Sequence, residues 1–249
     1  MHLTLLTGHS RGMGRALAEQ LLAPGHRLLG ISRQEAPGLD ALAREQGAEL
    51  EEWQADLAEG AAVARRLGHW LAALDGSAFQ TVTLINNAGL IPAIVPLAQS
   101  EPEDLARALR VDLETPMQLC ATFLRATEAW PGARRVLNIS SGLGRRAMAS
   151  KSAYCAAKAG MDHFTRCLAL DEAQRPHGAR VCSLAPGVIA TDMQVLLRSA
   201  NPADFPDRAN FESLHREGRL STPEDAARRL LAYLARPDFG QNPVADVRD

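Results

Sequence analysis

Two hydrophobic rhythms alternate along the chain. Short apolar runs such as His2-Leu3-Thr4-Leu5-Leu6 and Val82-Thr83-Leu84-Ile85 read as buried strands, and longer stretches with helical spacing separate them. Strands are predicted near 2–6, 27–31, 48–53, 80–85, 134–139, 179–184 and 243–247. Helices are predicted near 13–22, 35–46, 59–74, 101–128, 151–174 and 223–235. Such alternation implies an α/β fold: one doubly wound domain over residues 1–249, with about seven parallel strands and helices on both faces. One segment breaks the rhythm. Residues 192–221 carry Met193, Val195, Leu196, Leu197, Phe205 and Phe211 between the breaks Asn201-Pro202 and Phe205-Pro206. The segment is too long for an ordinary connection and is expected to be a mobile substrate lid.

Composition narrows the class. With 249 residues, 46% of them hydrophobic, the chain can bury one large core. A net charge of −2 argues against a nucleic-acid partner. No apolar stretch reaches membrane-spanning length, which argues against a membrane partner. The start reads as a strand and not as a signal peptide. Cys120, Cys155, Cys167 and Cys182 form no C-x-x-C pair and are expected as reduced thiols in a cytoplasmic protein. No Cys/His cluster has metal-ligand spacing, so no metal is expected. His9 is expected as a solvent-exposed loop residue.

The chemistry-bearing residues lie at the ends of predicted strands. Thr7-Gly8-His9-Ser10-Arg11-Gly12-Met13-Gly14 joins the first strand to the first helix. Strand, glycine loop and helix form the context of a dinucleotide-phosphate cradle: glycines let the backbone approach a pyrophosphate whose charge sits on the helix N-terminus. Asn86-Asn87-Ala88-Gly89 closes the fourth strand. Tyr154 and Lys158 stand four apart, on one face of a predicted helix, and Ser141 precedes the tyrosine by thirteen residues. A lysine beside a phenol favours the phenolate and lowers a tyrosine pKa from about 10 towards the working range of a general acid–base.

Together these motifs resemble the short-chain dehydrogenase/reductase family, in order and over essentially the whole chain. The resemblance implies a Rossmann-type fold and hydride transfer between a nicotinamide dinucleotide and a carbonyl carbon. Tyr154 would give the proton, Lys158 would tune the tyrosine and hold the nicotinamide ribose, and Ser141 would bond the carbonyl oxygen. Gly8, Ser10, Gly12, Met13 and Gly14 would form the phosphate loop. Asn87, Ala88 and Gly89 match the family turn, and Asp56, followed by Leu57, matches the position that meets the adenine amino group. Pro186, Gly187, Val188 and Thr191 would fix the carboxamide. The family commonly places an asparagine where this chain has Asp112, a departure that opens the role of this residue behind Lys158.

Charge separates the two cofactors. The second strand ends Gly30-Ile31-Ser32-Arg33 with no acid to bond a ribose 2′-hydroxyl, and Arg11 lies in the glycine loop. Two guanidiniums and the Ser32 hydroxyl suit a 2′-phosphate, which favours NADP(H) over NAD. The stretch Ser141–Met161, the segment from Pro186 onward and the short ending Val244–Asp249 narrow the resemblance to the sepiapterin reductase and benzil reductase branch, which reduces vicinal dicarbonyls or pterin side chains. The expectation is an NADPH-dependent carbonyl reductase acting on a small carbonyl substrate. Alternatives are an NADP-dependent alcohol dehydrogenase working oxidatively and a catalytically silent dinucleotide-binding regulator; the intact Ser–Tyr–Lys set favours an enzyme. Helices near 101–128 and 151–174 pair subunits in many relatives. Their apolar stripes, Leu105, Leu109, Leu113 and Met117 with Phe164, Cys167 and Leu168, make a homodimer the expected assembly.

Overall fold

The computed structural model describes residues 1–248; Asp249, the last residue of the ending discussed above, lies outside them. Seven strands follow the predicted order: β1 His2–Thr7, β2 His26–Ser32, β3 Glu49–Gln54, β4 Thr81–Asn86, β5 Ala133–Ile139, β6 Arg180–Ala185 and β7 Val244–Asp246. They form one parallel sheet in the order β3-β2-β1-β4-β5-β6-β7. Strand order reverses between β1 and β4, and in such a sheet the carboxyl ends of the strands at that point open a crevice. The glycine loop leaves β1 there and the Asn-Asn-Ala-Gly turn leaves β4.

Both sheet faces are apolar because both are covered. On one side Leu6, Leu28, Ile85 and Leu184 meet α1 (Gly12–Leu21), α2 (Leu39–Glu45) and α9 (Pro223–Ala235). On the other, Leu5, Leu29, Leu84 and Val136 meet α3 (Gly60–Ala72), α5 (Thr115–Ala126) and α6 (Ser152–Ala173). No helix of the described residues is long and apolar enough to cross a membrane.

Three elements differ from expectation. Helix α2 begins at Leu39 and not at residue 35, because Pro37-Gly38 delays it; Gly38 holds a left-handed φ of 76° before the first turn. The stretch expected as one helix over 101–128 is α4 (Pro102–Leu109), a π turn (Arg110–Glu114) and α5. Residues 192–221 are not an open loop: they contain α7 (Asp192–Ser199) and α8 (Arg208–Arg216). The ends of that excursion are tied together, since Ile189 and Ser221 form a β-bridge and Ser221 N–H donates to Val188 O at 2.9 Å. Phe205, fully buried, stacks on Phe211 inside it.

Candidate active site

The turn after β4 is anchored on β1. Thr7 Oγ1 accepts from the backbone N–H groups of both Asn87 and Ala88 at 3.0 Å, and Asn87 Nδ2 donates to Thr7 O at 2.9 Å. Glycine is required where the loop passes this turn. A Cβ on Gly14 would stand 1.9 Å from Gly8 O, and one on Gly8 would stand 2.9 Å from the Ala88 backbone. Gly8 also takes a φ of 73°. Helix α1 then starts with no side-chain cap and no acid in its first turn. Its first turn, Gly12–Gly14, lines the crevice, and this cradle fits the pyrophosphate of a dinucleotide.

At the other side of the crevice, β5 delivers Ser141 and α6 delivers Tyr154 and Lys158. The junction is fixed by buried Asp162, which accepts from Ser140 Oγ at 2.5 Å, Ser183 Oγ at 2.7 Å and Arg145 Nε at 3.1 Å. Lys158 Nζ donates to Ile139 O at 3.0 Å and lies 5.6 Å from the Tyr154 ring centroid. Burial pushes the Tyr154 phenol above its ordinary pKa, while Lys158 and the Ser141 hydroxyl pull it down and Asp112 adds to the rise. This corrects the simpler expectation of a lowered tyrosine: Lys158 acts in the expected direction, but desolvation outweighs it.

Asp112 stands at the centre of the π turn, 1% exposed. Its Oδ1 accepts from Leu90 N–H at 2.8 Å, and its Oδ2 has no partner. Burial raises its carboxyl to about 6 against the opposing pull of Lys158 and the Leu90 N–H. A Cβ on Gly89 would lie 3.5 Å from Asp112 Oδ1 and 3.7 Å from Lys158 Nζ, so the carboxylate and the ammonium share the space behind that glycine.

One cleft of about 1360 Å³ is lined by every residue named above as catalytic or cofactor-binding except Asp112, which is enclosed behind Lys158. Several of these residues hold unexpected partners. Arg11 pairs with Asp192 at 2.7 Å, which links the glycine loop to the first residue of α7. The Ser32 hydroxyl donates to Gln34 O. Asp56 accepts from Ala58 N–H and from Arg107 at 2.9 Å; the Ala58 bond chiefly, then the arginine, holds its carboxyl below the usual range. Leu57 is buried and its carbonyl accepts from Thr115 Oγ1 at 2.6 Å.

His9 is not solvent-exposed. It is fully buried, its Nε2 lies 2.7 Å from Glu52 Oε1, and its ring fills the space above Gly30, where a Cβ would come within 2.6 Å. The glycine inside the second strand was the available signal, since such a position marks close approach by another group. Arg107, Lys151, Gln194 and Arg198 also line the cleft and were not singled out from the sequence. Periodicity carries no trace of the π turn that holds Asp112.

A Rossmann-type crevice with a phosphate cradle on one wall and a Ser–Tyr–Lys set on the other defines the dinucleotide-dependent oxidoreductases. The comparisons place the chain within that class. The family model described as short chain dehydrogenase matches residues 2–202. A benzil reductase ((S)-benzoin forming) from Bacillus cereus is 32% identical over 99% of both chains. A sepiapterin reductase from Meriones unguiculatus is 32% identical over 98% of this chain and 95% of its own. A short-chain dehydrogenase/reductase structure from Saccharomyces cerevisiae, 24% identical, superposes with a TM-score of 0.84 over 100% of this chain and 97% of its own, a likeness of fold. The chain belongs to the short-chain dehydrogenase/reductase family, oxidoreductases that use nicotinamide dinucleotides.

Proposed function

We propose that the chain is an NADPH-dependent carbonyl reductase acting on ketones of the vicinal-dicarbonyl or pterin side-chain type. The observation that carries the reading is the meeting of Ser141, Tyr154 and Lys158 in the cleft that also holds the glycine cradle. A bound nicotinamide supplies the hydride. The protein's part is position and proton. Ser141 holds the carbonyl oxygen, and Tyr154 Oη gives that oxygen its proton as negative charge develops. Lys158, held by the Ile139 carbonyl, keeps a positive charge beside the phenol. Asp112 steadies that charge from behind while its other oxygen keeps the Leu90 turn in place. Thr191 and the backbone at Pro186–Val188 hold the carboxamide end of the cofactor.

Preference for the 2′-phosphate is read from Arg33 and Ser32 at the end of β2, with Arg11 within the loop; all three line the cleft, and β2 ends without an acid. Likeness to benzil and sepiapterin reductases supports the substrate class. Residues 192–221 act as the lid, with Val195 and Leu196 of α7 presenting apolar surface at 54% and 53% exposure. Leu109, Met117 and Leu170 expose apolar area along α4–α6 and would be covered in a homodimer. Four unpaired thiols agree with a cytoplasmic setting.

A screen of NADPH and NADH oxidation against benzil, sepiapterin and simple aldehydes tests the reading. Turnover of diketones with NADPH well above NADH is expected. Equal use of both cofactors removes the NADPH assignment, and no turnover of any carbonyl removes the reductase assignment.

A further inference from the structure

Arginine supplies almost all of this chain's positive charge. Its 27 basic residues include two lysines, Lys151 and Lys158, both at the start of α6. Lys158 belongs to the site already described; Lys151 does not, and its surroundings are unusual. It precedes α6 and lies three residues before Tyr154. It lines the cleft yet is 1% exposed. Its Nζ has no hydrogen-bond partner and, among the described residues, no carboxylate; a Phe205 ring centroid at 5.6 Å is its main neighbour. The titratable group that acts on it is the Cys155 thiol on α6.

A buried ammonium without a counter-charge is costly, and burial here lowers its pKa to about 7. Other cations of the cleft divide into paired and unpaired. Arg11 and Arg248 are paired with Asp192 and Asp246. Arg146 and Arg198 line the cleft with no carboxylate partner among the described residues, and Arg198 Nη1 is buried without any bond. Gln194, one turn before Arg198, likewise buries an unbonded Oε1. The dinucleotide's own phosphates do not supply the missing charge to Lys151, because the cradle that fits them is at the start of α1, across the crevice from Tyr154.

We propose that Lys151 binds an anionic oxygen of the substrate, and that the vicinal dicarbonyls this chain takes include 2-oxo acids, with a carboxylate beside the carbonyl that Tyr154 protonates. The inference rests on the reductase reading and names its substrate class. An ammonium close to a carboxylate forms a charge-assisted bond that a neutral dicarbonyl cannot form.

Having two lysines makes the test direct. Protein labelled with [13Cε]lysine and saturated with NADP⁺ gives two Cε signals, assigned with Lys151→Met. Phenylglyoxylate should shift the Lys151 signal and raise its titration midpoint by about one pH unit or more, whereas neutral 1-phenylpropane-1,2-dione should leave it in place. With NADPH, Lys151→Met should lower kcat/KM for phenylglyoxylate by about tenfold or more and change that for the dione by less than about threefold. A Lys151 signal blind to phenylglyoxylate, or equal losses on both ketones, overturns the assignment. If neither ketone is reduced, the reductase reading fails, and the signal of the unmutated protein still decides whether Lys151 binds the anion.

Discussion

The two walls of the cleft are finished to different degrees. On the cradle wall the main contacts close inside the chain: Thr7 clamps Asn87 and Ala88, His9 Nε2 meets Glu52 although its Nδ1 is unbonded, and Gly14 fits against Gly8 without room for a methyl. On the lid side Lys151 Nζ, Gln194 Oε1 and Arg198 Nη1 are all buried and unbonded. Buried polar groups are normally satisfied, so groups left without partners in a native cleft mark where a ligand completes the structure. The cradle presents a cofactor shape shared across a family. The chemistry of the lid-side wall is read from what it lacks.

Four experiments probe that contrast. Tyr154→Phe, at the seam between the walls, should reduce carbonyl turnover by about 10²–10⁴-fold while nucleotide affinity holds, because it removes a proton and preserves the ring. Steady-state kinetics beside cofactor titration checks this, and a variant keeping a tenth of turnover would remove the tyrosine from its role. Gly14→Ala should damage the finished wall itself. Its methyl meets a backbone oxygen, so a stability loss at the upper end of about 1–3 kcal/mol and weakened nucleotide binding should appear together in thermal melts and titrations.

Asp112→Asn tests an unsatisfied oxygen on the inner side of the site. The folded pKa of Asp112 is raised to about 6, so ionisation is disfavoured in the native state. Wild-type stability should therefore fall as pH rises from the ordinary aspartate range through about 6 and level off above it. The asparagine variant escapes this loss. Its melting advantage should grow across that window to roughly 3 kcal/mol and stay constant beyond it. An advantage independent of pH would refute the assignment. The smallest effect is expected for Arg33→Asp, which should weaken NADPH binding by about tenfold and spare NADH. Equal losses with both cofactors would move the 2′-phosphate contact elsewhere.

Much of this was legible in the sequence because parallel strands buried on both faces are written as apolar runs. All seven strands fall within a residue or two of their predicted places. The Ser–Tyr–Lys spacing survives folding because Tyr154 and Lys158 share one helix. Legibility failed where one residue's environment is made by distant chain. His9 looked like a loop residue because Glu52 is 43 positions away. Lys151 was not singled out because nothing local says that Phe205 will cover it.

The π turn at Arg110–Glu114 separates two functions of one helical stretch. Such a turn takes up one extra residue inside an α-helix, so the helix beyond it keeps its face. Deleting a residue there would restore regular helix and leave Leu119, Cys120 and Phe123 on the sheet. Asp112 alone would lose the wide turn in which it stands, and with it the setting that places its carboxylate beside Lys158. Packing needs only the helix; the buried carboxylate needs the extra residue.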